Sequence, residues 1–176
     1  MTEYNYELRI PKERIAILIG EKGKVKKQIE AATKTNINVD SKEGDVSITG
    51  KDALGLYSAR EIINAISRGF NPDIAQLLLK PDYIFEAINI TDYAKTKPTE
   101  MRLKGRVIGR AGKARELIEE LTETYLSVYG KTISIIGLPE NVANARKAVQ
   151  TLLEGGSHAN VYKWLEKSRR KERMNE

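Results

Sequence analysis

The segment Ile-Gly-Arg-Ala-Gly-Lys (residues 108–113) decides how the rest of the chain is interpreted, because a second copy lies at residues 19–24, 89 positions upstream. The upstream copy reads Ile-Gly-Glu-Lys-Gly-Lys. Each copy has an Ile before the first glycine and a Lys after the second. A single GxxG pair is a weak signal, since glycine pairs occur in loops by chance. Its recurrence together with its surroundings indicates an internal duplication.

The two copies extend well beyond the glycines. Residues 20–39 align with residues 109–128 without a gap, and eight positions are identical in this alignment. The hydrophobic periodicity predicts the same order in both copies: strand, helix, GxxG, helix, strand, strand, helix. In the second copy, about nine more residues separate the opening strand from the GxxG than in the first copy. We therefore predict an α+β fold made of two tandem units, each a three-stranded antiparallel sheet packed against three helices.

The connections between these elements suggest domain boundaries. The first domain is predicted at residues 1–70 and the second at 83–156, with a connecting helix or linker at 71–82. A basic helical arm is predicted at 157–176, where Val161, Trp164 and Leu165 form an apolar edge that docks on the second unit. His158 follows two glycines and is predicted to lie in a loop. The segment 91–100 has no predicted role.

Composition excludes several classes of protein. The 176 residues include no cysteine and one histidine, and 40% are hydrophobic. No apolar run is long enough to cross a bilayer, and the N-terminus lacks the pattern of a secretion signal. We therefore expect a soluble cytoplasmic protein without disulfides. The absence of a Walker loop or clustered carboxylates also predicts a protein that is not an enzyme and has no metal or cofactor.

The positive charge is concentrated around the glycine motifs. The chain carries a net charge of +6. Seven basic residues lie between Arg9 and Lys27, and eight lie between Lys95 and Arg115, where Glu100 is the only acidic residue. Two glycines before a helix allow a phosphate backbone to approach, and the helix start adds unpaired N–H groups and about half a positive charge. These features predict a polyanionic partner bound at the two loops.

The order of elements, with I-G-x-x-G-K between the first two helices, resembles a type I KH domain, twice over. KH domains clamp about four nucleotides of single-stranded nucleic acid across the GxxG loop and an aliphatic groove. The resemblance covers nearly the whole chain and implies single-stranded RNA as the partner. The low aromatic content, 6%, suits an aliphatic groove better than an aromatic stacking sheet.

A closer resemblance lies outside the glycine loops. The segments RGFNPDIAQLLL (residues 68–79), DYIFEAINITD (82–92) and LKGRVIGRAGK (103–113), with Val161-Tyr162, are similar to the partner-of-Nob family of small-subunit assembly factors, in its archaeal form. The resemblance implies binding near the 3′ end of small-subunit rRNA and assistance to the Nob endonuclease. The same resemblance suggests other ribosome-associated or translation factors as partners.

The second loop is predicted to be the main RNA site, because the first carries Glu21 where the second carries Arg110. The predicted RNA-binding residues are Arg102, Lys104, Arg106, Ile108, Gly109, Arg110, Ala111, Gly112, Lys113, Arg115 and Val128. A secondary site for RNA or protein is predicted at Ile19, Gly20, Glu21, Lys22, Gly23, Lys24, Lys27 and Val39. Two alternatives remain open: a protein-interaction scaffold, and a general tandem-KH RNA binder unconnected with ribosome assembly.

Overall fold

The computed structural model describes residues 2–176, and the chain divides into two compact units, Met1–Tyr83 and Ile84–Glu176. Each unit has an antiparallel sheet in which its third strand lies between the first and the second. The order of elements within both units is the predicted one. The duplicated α+β fold is therefore confirmed.

The first unit begins with strand β1 and ends with a short helical segment. Asp52 and Asn71 accept hydrogen bonds from the backbone N–H groups of Leu54 and Asp73, so each caps the helix that follows it. Its elements are β1 (Tyr4–Arg9), α1 (Lys12–Ile19), α2 (Lys24–Thr33), β2 (Thr35–Val39), β3 (Asp45–Gly50), α3 (Ala53–Ser67), α4 (Pro72–Ala75) and a 3-10 turn (Gln76–Leu79).

The second unit repeats this order and adds a C-terminal helix. Its elements are β4 (Ile84–Asn89), a 3-10 turn (Ile90–Asp92), α5 (Lys97–Ile108), α6 (Lys113–Thr122), β5 (Tyr125–Tyr129), β6 (Thr132–Gly137), α7 (Pro139–Leu153) and α8 (His158–Met174). No helix within residues 2–176 combines the length and apolar character needed to cross a membrane.

The extra residues of the second unit lie at the start of α5. Residues 90–96 separate β4 from α5, whereas only Ile10 and Pro11 separate β1 from α1. Helix α5 has 12 residues and α1 has 8. Five of the nine extra residues therefore lengthen the connection (7 − 2) and four lengthen the helix (12 − 8).

Both units hold the turn from the second helix to the second strand in the same way. In the second unit, the Glu119 carboxylate accepts the N–H of Leu126 at 3.0 Å. Glu30 accepts the N–H of Ile37 at 2.9 Å in the first unit. Burial raises the pKa of Glu119, although this hydrogen bond and Arg115 act in the opposite direction. The repeated bond fixes where each second strand begins relative to the helix that follows its GxxG.

Helix α8 is part of the core of the second unit. Val161 and Leu165 are buried in that core, and Trp164 packs against it. The ammonium group of Lys147 lies 4.4 Å from the centre of the Trp164 ring. The predicted docking of the C-terminal helix on the second unit is confirmed.

Candidate nucleic-acid interface

The loop between α5 and α6 turns at its first glycine. Gly109 has a φ of 73°, which favours glycine. A Cβ atom at this position would lie 2.5 Å from the Cβ of Ala114 and 2.8 Å from its backbone nitrogen. Gly109 is therefore required both by the backbone conformation and by the close approach of α6.

The second glycine of this loop faces a more open space. Gly112 has a φ of 76°, and the nearest atom to a Cβ built there is an Arg115 guanidinium nitrogen, at 3.7 Å. The absence of a side chain leaves the backbone accessible from outside. The nearby guanidinium places a positive charge beside this accessible backbone.

Between the glycines, each loop holds a non-glycine residue in the left-handed region. Ala111 has φ 55° and ψ 28°, and Lys22 has φ 54° and ψ 28°. This conformation costs about 1 kcal/mol or more for an L-residue. The flanking glycines also agree, with φ 74° and ψ 176° at Gly20 and φ 73° and ψ 179° at Gly109. The two loops therefore share one strained backbone.

The helix that follows the second loop begins without a side-chain cap. Gly112 occupies the N-cap position of α6, and no side chain accepts a hydrogen bond there. The first N–H groups of a helix lack partners within the helix, and an anion satisfies them well. The backbone of the loop can therefore bind a phosphate.

Six basic side chains predicted to bind RNA differ in what they contact. Arg102, Arg110 and Lys113 are exposed, and none of them has an ion-pair partner within residues 2–176. Lys104 lies 3.5 Å from Glu100, and Arg115 lies 3.1 Å from Glu119. The three unpaired cations supply most of the charge available to a ligand.

Arg106 does not belong to this exposed group. Its Nε donates to the carbonyl of Leu152 at 3.0 Å, and a second guanidinium nitrogen donates to the carbonyl of Gly156. The side chain is half-buried against the end of α7. These two bonds engage its guanidinium in attaching α5 to the end of α7. Arg106 therefore acts within the protein and not, as predicted, as an exposed RNA-binding residue.

His158 takes part in the same attachment, and its predicted place in a loop is wrong. It is the first residue of α8, and its Nε2 lies 2.7 Å from the carbonyl oxygen of Arg106. Ser157 caps the helix by accepting the N–H of Asn160. A Ser before the periodic apolar pair Val161 and Leu165 is the signal that places the helix start here.

The aliphatic candidates beside the second loop are half-buried. Ile108 ends α5 and Val128 lies in β5, where it packs against the core. Leu117 of α6 is also half-buried. Partial exposure at all three positions leaves apolar surface for an unstacked base.

The first loop has a mixed charge. Lys22, Lys24 and Lys27 are exposed, but Glu21 is exposed beside them, with no ion-pair partner in the described chain. Ile19 is half-buried at the end of α1, and Gly23 has a φ of 74°. A phosphate at this loop would meet one carboxylate that the second loop lacks.

The sheet end of the first unit is acidic. Val39 lines a cavity of about 610 Å³ together with Glu7, Asp40 and Asp45. A hydrogen bond from Arg9 lowers the pKa of Asp45, which keeps that carboxylate ionised. Arg9 compensates the charge of Asp45, but Glu7 and Asp40 have no ion-pair partner among residues 2–176. These two carboxylates disfavour a phosphate beside Val39, so the second unit is the better candidate interface.

Comparison with known proteins agrees with this geometry. Residues 84–170 match the family described as eukaryotic type KH-domain (KH-domain type I), and residues 5–65 match the KH domain. A KH domain-containing protein of Methanocaldococcus jannaschii is 49% identical over 93% of this chain and 74% of its own length. The pre-rRNA-processing protein PNO1 of Chaetomium thermophilum is 32% identical over 67% of this chain. The chain belongs to the type I KH proteins of the partner-of-Nob family.

The tandem KH arrangement is also that of solved archaeal structures. Dim2p from Pyrococcus horikoshii is 44% identical, with a TM-score of 0.88 over 93% of this chain and 99% of its own. The same fold, at 43% identity and a TM-score of 0.90 over 96% of each chain, occurs in an a/eIF2alpha-aDim2p-rRNA complex from that organism. The match covers 48% of the length of the Chaetomium protein.

Proposed function

We propose that this KH protein binds single-stranded RNA and that the loop at residues 109–112 is its principal clamp. One observation carries the proposal: Arg110 and Lys113 are exposed and unpaired at a glycine loop that leads into an uncapped helix. Phosphates would bind the loop backbone and these cations. About four nucleotides would extend from the loop across the half-buried aliphatic residues.

The RNA is proposed to be small-subunit rRNA near its 3′ end. A 43% identical relative occurs in a complex that contains rRNA, and another relative is a pre-rRNA-processing protein. In this role the KH protein would hold the rRNA for the Nob endonuclease, in the cytoplasm, without itself cleaving RNA. A binding role is supported by His158, the only histidine, whose ring is engaged with a backbone carbonyl.

The experiment that tests this proposal replaces the two central residues of the loop. Arg110→Asp with Ala111→Asp places two carboxylates where phosphates are expected. Both positions are exposed, and Asp tolerates the left-handed conformation better than most residues. Affinity for single-stranded RNA should fall at least about tenfold. In the wild-type protein, log K should fall with log salt by about 0.7 for each phosphate contacted.

The control places Asp at the corresponding positions of the first loop, Glu21→Asp with Lys22→Asp. It lowers the net charge by two, against three in the second loop, and should lose less affinity than this difference in charge accounts for. Gly109→Asp is a poor test because its Cβ would collide with Ala114. A loss of RNA binding in that variant could come from a distorted loop as well as from repulsion of a phosphate. Binding that ignores both salt and the Arg110/Ala111 substitutions would overturn the proposal.

A second candidate function, protein contact by the first unit, rests on a different surface. Leu54 and Tyr57 of α3 are 78% and 57% exposed, and Tyr4 of β1 is 44% exposed. The guanidinium of Arg60 lies 5.6 Å from the Tyr57 ring and 4.9 Å from the Tyr6 ring. Aromatic residues and Arg are enriched at protein interfaces. The complex of the Pyrococcus relative includes a/eIF2alpha as well as rRNA, which supports protein contact as a second function.

A further inference from the structure

The connection before α5 and the first turn of that helix line a cavity in the second unit. It has a volume of about 470 Å³ and lies beside the turn between β5 and β6. Its walls include three lysines: Lys95 and Lys97 from the insertion and Lys131 from the turn. The remaining lining residues are Thr91, Ala94, Thr96 and Glu100.

The backbone around this cavity is held by several contacts. Ile90 donates its N–H to the carbonyl of Lys131 at 2.9 Å, as Ile10 does to Gly44 in the first unit. The N–H groups of Tyr93 and Ala94 both bind the carbonyl of Ile90, at 2.9 and 3.0 Å. Ala94 belongs to the core, and Tyr93 packs against it. The three lysines therefore extend from backbone that is anchored to the core.

The charge of the cavity is uncompensated. Lys95, Lys97 and Lys131 are exposed, and none of them lies within ion-pair distance of a carboxylate in residues 2–176. The one acidic lining residue, Glu100, lies 3.5 Å from Lys104. Three ammonium groups around one space repel each other, and an anion between them removes that repulsion.

The three lysines, and not the N-terminus of α5, would attract an anion to this cavity. Thr96 already accepts the N–H of Thr99, and Pro98 has no N–H to offer. A ligand must therefore be attracted by the ammonium groups. Lysine binds phosphate as a point charge and does not require a particular orientation.

Helix α5 connects the cavity to the GxxG loop. Lys97 begins this helix and Gly109 follows its end, so its 12 residues span about 18 Å. A strand held at the loop needs to extend only along this helix to bring a later phosphate to the lysines.

We infer that the three-lysine cavity binds a phosphate group of the same RNA strand, outside the nucleotides held at the GxxG loop. This inference rests on the proposed RNA binding at that loop. It gives the insertion a role: the second KH domain contacts a longer segment of RNA than the loop and groove alone. Free inorganic phosphate has the same chemistry, but it would not couple the cavity to the loop.

The test measures RNAs of two lengths with one triple variant, Lys95→Ala, Lys97→Ala and Lys131→Ala. An RNA of four nucleotides fills the loop and groove, whereas one of about ten also reaches the cavity. Affinity for the longer RNA should fall about tenfold, and affinity for the shorter RNA should not change. The salt dependence for the longer RNA should become shallower by about 0.7 for each phosphate that the variant no longer binds.

The matched control is Lys163→Ala, Lys167→Ala and Lys171→Ala, which removes the same charge from exposed positions of α8. An equal loss of affinity in both triple variants would show a general charge effect and overturn the inference. Unchanged affinity for the longer RNA in the cavity variant would also overturn it. Inorganic phosphate can also be titrated into the wild-type protein at constant ionic strength. If it binds the cavity while the variant keeps its affinity for the longer RNA, the cavity binds free phosphate and the inference is overturned. A failure of the proposed function gives a different result, because the wild-type protein would then not bind the four-nucleotide RNA.

Discussion

The Nε2 atom of His158 donates a hydrogen bond of 2.7 Å to the backbone carbonyl oxygen of Arg106. The carbonyl can only accept, so the proton lies on Nε2. The Arg106 side chain in turn donates to the carbonyls of Leu152 and Gly156. The last turn of α5, which leads into the GxxG loop, is thereby tied to the junction between α7 and α8.

Arg106→Ala should lower the free energy of unfolding of the KH protein by about 1–3 kcal/mol, because it removes two hydrogen bonds from a charged donor. Denaturant unfolding measures this change. Arg102→Ala is the matched control: Arg102 is exposed and unpaired, so its removal should weaken RNA binding without changing stability. If Arg106→Ala weakened RNA binding as Arg102→Ala does and left stability unchanged, Arg106 would be an RNA ligand after all.

Glu119→Ala should also cost about 1–3 kcal/mol of stability, because the buried N–H of Leu126 is left without its acceptor. Glu119→Gln should cost less, since the amide oxygen can still accept. Glu30→Ala is the matched change in the first unit, where it removes the same bond to Ile37. Equal stabilities of the Ala and Gln variants at position 119 would contradict this role.

The same carboxyl group makes stability depend on pH. Burial raises the pKa of Glu119, so the folded protein holds this proton more tightly than the unfolded chain does. Its contribution to stability is therefore present below the ordinary pKa of 4.5 and is lost as the pH rises through the raised value. Unfolding measured across that range should show wild type losing stability relative to Glu119→Gln as the pH rises. The opposite trend would mean that the pKa is lowered.

Glu21→Lys distinguishes the two roles proposed for the first KH domain. If its loop contacts phosphate, replacing the carboxylate by an ammonium group should strengthen RNA binding about tenfold and make it more sensitive to salt. If that loop faces a protein, RNA affinity should stay the same. Glu43→Lys is the control, because it changes the net charge equally at an exposed position in the turn between β2 and β3.

Local signals were sufficient to predict most of the fold. Helix α3, from Ala53 to Ser67, follows a typical N-cap residue, Asp52, and carries a regular apolar stripe, and both signals can be read from the sequence. The repeated glycine loops predicted the location of the candidate site. In each case the evidence lies within one or two helical turns of the feature, where sequence spacing determines which groups meet.

Contacts between distant residues could not be predicted in this way. Arg106 was expected to bind RNA, but its partners lie 46 and 50 residues further along the chain. Those partners are backbone carbonyls, which every residue offers, so the identities of Leu152 and Gly156 give no signal. The left-handed Ala111 has the same difficulty, since alanine normally favours the right-handed helical region.

Because the two loops have the same backbone conformation, their affinity for a ligand can change without a change in how they fold. Gly20 and Gly109 differ by 1° in φ and 3° in ψ, and Lys22 and Ala111 differ by 1° in φ. The two central side chains of each loop are exposed and support no packing. Single-codon changes there can thus alter the balance between the two domains without a new backbone arrangement.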